Sequence, residues 1–206
     1  MKIAILVEGA TEMAFREKLR EFLQSRLGQK MPKLRFIPQD GGIPKEGKLR
    51  RIVENLLDND GYDAVIALTD VYTGKQDFKD ANDAKEKMRT WVGNNPNFYP
   101  HTALHDFEAW LLPYWTTIQK LAKHNLSAPS GSPETVNHQK PPSYWIKEIF
   151  RTGKCRKDYD KVSDGKAILK NNDLMIAIKA CPELKAFVNR IISLCDEEKI
   201  ISCDRC

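Results

Sequence analysis

The sequence predicts an α/β fold in which a mostly parallel sheet carries helices on both faces. Two short apolar runs, Ile3 to Val7 and Ala64 to Leu68, have the composition of buried parallel strands. Helical segments separate them from two further strand-like segments, Leu34 to Pro38 and Tyr99 to Leu104. Strands that alternate with helices in this way imply right-handed crossovers and a Rossmann-like sheet.

Three amphipathic helices are predicted between the strands. The first follows a strand at residues 2–7, and Thr11 is placed to cap it, with apolar residues at helical spacing as far as Leu27. The second covers residues 46–58 and the third runs from Asp80 to Gly93. Each helix is therefore expected to lay one apolar face on the sheet.

The C-terminal part of the chain is predicted to be mostly helical. Helices are expected at residues 144–151, 173–181 and 183–195. A stretch rich in Ser and Pro, from Ser127 to Pro142, is expected to be a loop or hinge. We therefore divide the chain into an α/β domain, residues 1–126, and a basic helical elaboration, residues 127–206, that packs on the same core.

Composition favours a small cytoplasmic protein. At 206 residues with 41% hydrophobic side chains, the chain can bury one core, and no apolar run approaches the length of a membrane span or signal peptide. No membrane partner is expected. The five cysteines are odd in number and absent from the first 154 residues, which argues against a disulfide framework. Cys203 and Cys206 form a lone CxxC, either a zinc or redox site or a tail with reduced thiols.

Acidic residues follow the ends of three predicted strands. Glu8 and Glu12 follow the first strand, Asp70 the third, and Asp106 and Glu108 the fourth. The carboxyl ends of parallel strands meet at one edge of the sheet, where α/β proteins place their sites. Because clustered carboxylates repel one another, they are tolerated mainly beside a divalent cation. The sequence therefore predicts a site for Mg²⁺, with Mn²⁺ as a substitute.

Four of these residues also have a purely structural explanation. Glu12 would interact favourably with the dipole of its helix, and Asp70 could belong to a turn or cap. Asp106 could cap the helix that follows it, with Glu108 on the polar side of that helix. Gly9, in contrast, is expected to allow an unusual backbone turn and the close approach of a ligand.

Five short motifs follow one another along the chain. They are Val7-Glu8-Gly9-Ala10-Thr11-Glu12, Leu68-Thr69-Asp70-Val71-Tyr72, His105-Asp106-Phe107-Glu108-Ala109, Tyr159-x-Lys161-x-x-x-Gly165 and Cys181-Pro182. In this combination they resemble a Toprim-like family of unknown function found in bacterial and archaeal genomes. That family is distantly similar to the Toprim domains of overcoming-lysogenization-defect nucleases. The resemblance runs from Ile3 to about Leu194 and implies a Toprim-like parallel sheet.

The resemblance also implies a set of metal ligands. A Toprim site consists of one Glu and an Asp-x-Asp pair that hold Mg²⁺. Glu8 matches the Glu and Asp70 matches the first Asp, whereas Tyr72 stands in place of the second Asp. Glu108 would supply the missing carboxylate just past the fourth strand, facing outward from its helix, and Asp106 is the alternative.

The charge of the chain is concentrated in one segment. The window from His138 to Lys170 contains nine Lys/Arg and four Asp/Glu, a net charge of +5 that equals the charge of the whole chain. Basic side chains hold phosphates, so a nucleic acid, DNA or RNA, is the expected partner. Lys154, Arg156, Lys157 and Lys166 are the candidate contacts. The alternative is a solvated helical face.

These features together predict a Mg²⁺-dependent, phosphodiester-cleaving nuclease of Toprim type. Glu8, Asp70 and Lys161 would be catalytic, with Lys161, in the fourth motif, stabilising charge on the reacting phosphate. Relatives encoded near ATPases in anti-phage modules suggest a phage-defence role and an ATPase partner. The alternative is a catalytically inactive nucleic-acid-binding or regulatory subunit of an ATPase complex. A nucleotide-binding protein is disfavoured, because carboxylates occupy the first turn where phosphates would need glycines and Lys.

Overall fold

Four parallel strands form one sheet in the order β2-β1-β3-β4. The computed structural model describes residues 1–39, 41–71, 78–136, 140–154 and 158–202. The strands are β1 (Lys2–Val7), β2 (Lys33–Pro38), β3 (Ala64–Val71) and β4 (Phe98–Leu104). The predicted α/β class with a parallel sheet is confirmed.

Helices connect and follow the strands. They are α1 (Ala10–Leu27), α2 (Glu46–Glu54), α3 (Ala81–Trp91), α4 (Trp115–Ala122), α5 (Pro142–Thr152), α6 (Ser163–Lys170), α7 (Leu174–Ala180) and α8 (Pro182–Cys195). Short 3-10 turns lie at Gly28–Lys30, Phe107–Trp110, Leu112–Tyr114, Pro133–Thr135 and Glu197–Lys199. Within the described ranges, no helix is both long enough and apolar enough to cross a membrane.

The topology opens a crevice between the ends of β1 and β3. The chain passes from β1 to β2 on one side and then returns to β3 on the other side of β1. Val7 pairs with Pro38 in β2 and with Leu68 in β3, and Asp70 pairs with Ala103 in β4. At such a switch point the connections leave in opposite directions, so a ligand can approach the carboxyl edge of the sheet.

Alternation along the strands divides the core into two layers. Ile3, Ile5 and Val7 belong to a large apolar cluster with α1 and the C-terminal helices. Ala4 and Leu6 belong to a smaller cluster with α2 and α3 on the opposite face. Because successive side chains of a strand point to opposite faces, both faces of the sheet are covered by helices.

Several local expectations are wrong around the first turn. Helix α1 begins at Ala10 with Gly9 at the N-cap position, so Thr11 lies inside the helix and is not its cap. Gly9 has φ of −165°, an extended conformation open to any residue, and an added Cβ would meet no atom within 4 Å. The unusual turn expected at Gly9 is therefore absent. Instead, the Glu12 carboxylate closes this turn by accepting a hydrogen bond from the Gly9 N–H at 3.1 Å.

Other boundaries differ because tertiary contacts extend or interrupt the local pattern. Strand β3 continues to Val71 because β4 pairs with it that far, so Asp70 lies in the strand and not after it. Helix α2 ends at Glu54 and passes into a π-helical turn at Asn55–Asn59. The sequence did not predict α4 or α6, both eight-residue helices with few periodic positions. Helix α6 packs on α1 and α8 on β4, which joins the C-terminal helices to the main core.

Candidate active site

Glu8 and Asp70 are connected directly at the crevice. Oε1 of Glu8 accepts a hydrogen bond from the backbone N–H of Asp70 at 2.9 Å. The same oxygen accepts a hydrogen bond from the hydroxyl of Thr69. Both contacts follow from the register, because Glu8 comes one residue after the Val7–Leu68 pair. The two strand ends that were predicted to be neighbours therefore hold one another in place.

Glu12 adds a third carboxylate. It lies in the first turn of α1 and is only 5% exposed. Burial raises its pKa from 4.5 to about 7, hydrogen bonds from backbone N–H groups oppose this, and the charges of Glu8 and Glu108 raise it further. The helix dipole alone would lower the pKa of this group. The contributions of Glu8 and Glu108 to this pKa link Glu12 to the acidic cluster.

Asp106 and Glu108 complete the cluster from the segment after β4. Both are fully buried. Oδ2 of Asp106 accepts a hydrogen bond from the backbone N–H of Ser143, at the start of α5, at 3.2 Å. Oδ1 of Asp106 is buried and has no hydrogen-bond partner within the described part of the chain. Asp106 precedes the 3-10 turn Phe107–Trp110, but its side chain makes no capping hydrogen bond.

Glu108 was expected to face outward, and this expectation is wrong. The segment forms a single 3-10 turn and not a longer helix, so all four of its residues are buried. Lys161 compensates the charge: its Nζ lies 3.1 Å from Oε1 and 3.4 Å from Oε2 of Glu108. The Lys161 side chain is 41% exposed. Lys161, the predicted catalytic lysine, therefore contacts the predicted ligand Glu108 and is also partly exposed to solvent.

Electrostatic interactions link these residues. Burial raises the pKa of Asp70 well above its usual range, and the charges of Glu8, Glu12, Asp106 and Glu108 raise it further. Burial and the charge of Asp106 also raise the pKa of Glu108. Burial lowers the pKa of Lys161, but the charges of Glu108, Asp106 and Asp70 outweigh it and raise the pKa overall. Burial also raises the pKa of Asp106, even though the charges of Lys161 and Lys147 oppose this effect.

The chemistry of this cluster fits a divalent cation. Carboxylate oxygens are the ligands that Mg²⁺ and Mn²⁺ prefer, and a buried Oδ1 of Asp106 without a partner is an available donor. Across the described ranges, no three His, Cys, Asp or Glu side chains already form a group arranged to hold a metal ion. Of the predicted ligands, Glu8 contacts the Asp70 backbone, and Asp106 and Glu108 lie where their charges act on Asp70.

The structure describes two of the predicted nucleic-acid contacts, Lys154 and Lys166. Lys154 is exposed and lines a groove with residues of α4. Lys166 lies on α6 near Glu17, with 3.7 Å between its Nζ and Oε1 of Glu17. Arg156 and Lys157, like Tyr72, lie outside the described residues. Lys154 and Lys166 therefore belong to two different surfaces.

Thr69 and Ser143 were missed by sequence reasoning. Thr69 donates to Glu8, and the Ser143 backbone donates to Asp106. The position of Thr69 immediately before Asp70 was an available signal, since it faces the residue after β1 in the predicted sheet. Nothing in the sequence connects Ser143 with Asp106, because the contact spans 37 residues and uses a backbone group.

Comparisons with known proteins agree with this fold. The chain is similar to the C-terminal region of the OLD protein of Xanthomonas campestris pv. campestris, with a TM-score of 0.50 and 15% sequence identity. The likeness covers 95% of this chain and 97% of the other, and at this identity it concerns the fold. A search of curated proteins gave no match. Residues 7–192 match the family described as a domain of unknown function, DUF4276. The chain, with its Toprim-like α/β fold, therefore belongs to the DUF4276 family.

Proposed function

We propose that this protein is a metal-dependent nuclease that hydrolyses phosphodiester bonds at the carboxyl edge of β1 and β3. The observation that carries the proposal is the geometry of the cluster: Glu8 is hydrogen-bonded to Asp70 at the switch point, and the buried carboxylate of Glu108 is paired with Lys161. The raised pKa of Glu12, Asp70 and Glu108 supports it. Perturbed carboxyl groups in a crevice are typical of functional sites. The Toprim-like fold and the likeness to the OLD C-terminal region support the proposal.

Each residue has a role in this proposal. Glu8, Asp70 and Glu108 would hold the cation, with Asp106 as the further ligand. A divalent cation held there would supply positive charge to the reacting phosphate and lower the pKa of a water molecule. Glu8 also accepts or donates a proton as the general acid/base. Lys161, partly exposed beside Glu108, donates hydrogen bonds to phosphate oxygens as their negative charge increases.

The test is cleavage of DNA and RNA by the pure protein with Mg²⁺, with Mn²⁺ and with EDTA. We expect cleavage with either metal and none with EDTA. Glu8→Gln should abolish it, because the amide keeps the shape but loses the charge. Glu17→Gln is the matched control, since it makes the same change at a side chain that is 70% exposed on α1. Cleavage that persists in EDTA or in Glu8→Gln contradicts the proposal.

A second candidate is a nucleic-acid-binding or regulatory subunit without catalysis. It is favoured by the contacts that already occupy the acidic groups. Oε1 of Glu8 accepts from Thr69 and Asp70, and Glu108 is paired with Lys161. Nucleic-acid binding without cleavage at any divalent-cation concentration would support this candidate. A phage-defence role and an ATPase partner remain predictions for either one.

A further inference from the structure

A basic groove lies between the C-terminal ends of α4 and α5, and the acidic cluster contributes no residue to it. Its volume is about 670 Å³, and its walls include Lys120, Lys123, His124 and Lys154, with no acidic side chain among the described residues that line it. None of these three lysines forms an ion pair with another described residue. Lys120 and Lys123 lie outside the segment in which the sequence concentrates positive charge.

Hydrogen bonds fix one wall of the groove. The carbonyl oxygen of Leu126 accepts from Nε1 of Trp115 at 2.8 Å and from Nε2 of Gln119 at 2.9 Å. The Leu126 N–H donates to Nδ1 of His124 at 2.9 Å. Because Nδ1 acts as an acceptor, a neutral His124 carries its proton on Nε2 and can donate it to an anion. The wall therefore presents an oriented donor beside the lysines.

The opposite wall depends on a glycine. A Cβ added at Gly153 would lie 2.1 Å from the carbonyl oxygen of Ala122, at the end of α4. Only a residue without a side chain allows this approach of the two helix ends. Lys154 follows directly and is thereby held against the groove. Specific contacts therefore position both walls of the groove.

Helix α5 sets the distance between the groove and the acidic cluster. Ser143, at the start of α5, donates to Asp106, and Lys154 comes just after the end of the same helix. At 1.5 Å per residue the two points are about 16 Å apart along the helix axis. One strand of B-DNA rises 3.4 Å per nucleotide, so this distance corresponds to about five nucleotides.

We propose that this groove binds the phosphate backbone of a nucleic acid about five nucleotides from the acidic cluster. The inference rests on the proposed function and extends its substrate contacts to α4. Three lysines and a histidine donor bind phosphates whatever the base sequence. The groove therefore contributes affinity and strand position, and sequence selectivity is not expected from it.

The test is the salt dependence of binding, measured by fluorescence anisotropy with a labelled DNA duplex in EDTA. The variant is Lys120→Gln/Lys123→Gln/Lys154→Gln. The slope of log K against log salt should become shallower by up to about 2.7, because each lost B-DNA contact removes about 0.9. The control is Lys33→Gln/Lys48→Gln/Lys199→Gln, which removes the same charge from exposed residues elsewhere. The control should keep the wild-type slope.

Three results would overturn the inference. The first is an unchanged slope in the groove variant, and the second is an equal loss in the control. The third is loss of ATP binding in the groove variant with nucleic-acid binding intact, which would make the groove a nucleotide site. Failure of the proposed function would give a different result. The protein would then show no metal-dependent cleavage, while the groove variant would still have a shallower slope of log K against log salt than the wild type. Metal-dependent cleavage with a groove-independent slope refutes only the inference.

Discussion

The carboxylate of Glu8 accepts a hydrogen bond from the backbone N–H of Asp70 at 2.9 Å, so the end of β1 is bonded to the end of β3 across the switch point of the sheet. This contact brings two carboxyl groups close together; burial raises the pKa of Asp70, and the charge of Glu8 raises it further. Such an arrangement costs stability in the free protein. A bound cation would offset this repulsion and stabilise the folded state. The cluster can therefore be tested by measuring protein stability as well as activity.

Divalent cations should stabilise the protein against unfolding. A ligand that binds only the folded state adds about 2.7 kcal/mol at 100 times its Kd. We therefore expect Mn²⁺ or Mg²⁺ to raise the Tm of the wild type. Asp70→Asn should remove most of this shift, whereas Glu17→Gln should retain it. Thermal melts with and without metal measure this shift. Glu108 is tested separately: isothermal calorimetry of Glu108→Ala should show a weakened or missing metal-binding event. An equal metal shift in Asp70→Asn would exclude Asp70 as a ligand.

Glu12 should make stability depend on pH in the metal-free protein. Its pKa is about 7 in the folded state and 4.5 in the reference state, so the folded state binds the proton more tightly. Its stabilising contribution is complete below pH 4.5 and is lost as pH rises to about 7. Above that pH, Glu12→Gln should be more stable than the wild type by up to about 3 kcal/mol.

The amide introduced by Glu12→Gln can still accept the hydrogen bond that Gly9 donates, so the comparison isolates the charge. Urea denaturation in EDTA at pH 8.0 and pH 4.5 measures the difference between variant and wild type. The difference should be large at pH 8.0 and near zero at pH 4.5. A pH-independent difference would show that the substitution acts through packing.

Lys161 should stabilise the fold through Glu108. Removing one partner of a buried ion pair costs roughly 3 to 5 kcal/mol, because the other charge is left uncompensated. Since the Lys161 side chain is 41% exposed, we expect a smaller loss of about 2 kcal/mol for Lys161→Met. In the Glu108→Gln background the same change should cost little. A double-mutant cycle by chemical denaturation measures the coupling, and additive losses would show that the pair contributes nothing.

The sequence predicted the positions of Glu8 and Asp70 because each directly follows, or nearly follows, a buried apolar run: Glu8 comes just after β1, and Asp70 lies near the end of β3. Those strands are short apolar runs whose burial on both faces is visible in composition alone. Their proximity then follows from parallel pairing. The Gly9 turn was predicted wrongly because glycine permits an unusual conformation without requiring it.

The environment of Glu108 could not be predicted from its neighbours. Its burial depends on Lys161, which lies 53 residues away, and on a single 3-10 turn in place of a longer helix. The groove could not be predicted from the sequence either, because its lysines come from two segments, α4 and the end of α5. Helix periodicity reports which face is apolar, but it does not report which two helix ends meet. Here the ends of α4 and α5 can pack together because Gly153 has no side chain.

Gly153→Ala should therefore disrupt both the fold and the groove. The new Cβ would lie 2.1 Å from the Ala122 carbonyl oxygen and 2.9 Å from that of Ile149, and both are backbone atoms that cannot rotate away. We expect a loss of about 2 to 3 kcal/mol, as for an overpacked core. Gly47→Ala is the matched control, because that position in α2 has no atom within 4 Å of the added Cβ, and it should gain about 0.5 to 1 kcal/mol. Urea denaturation compares the two. If Gly153→Ala folds with wild-type stability, the ends of α4 and α5 can separate without cost, and the fixed position of Lys154 against the groove is refuted.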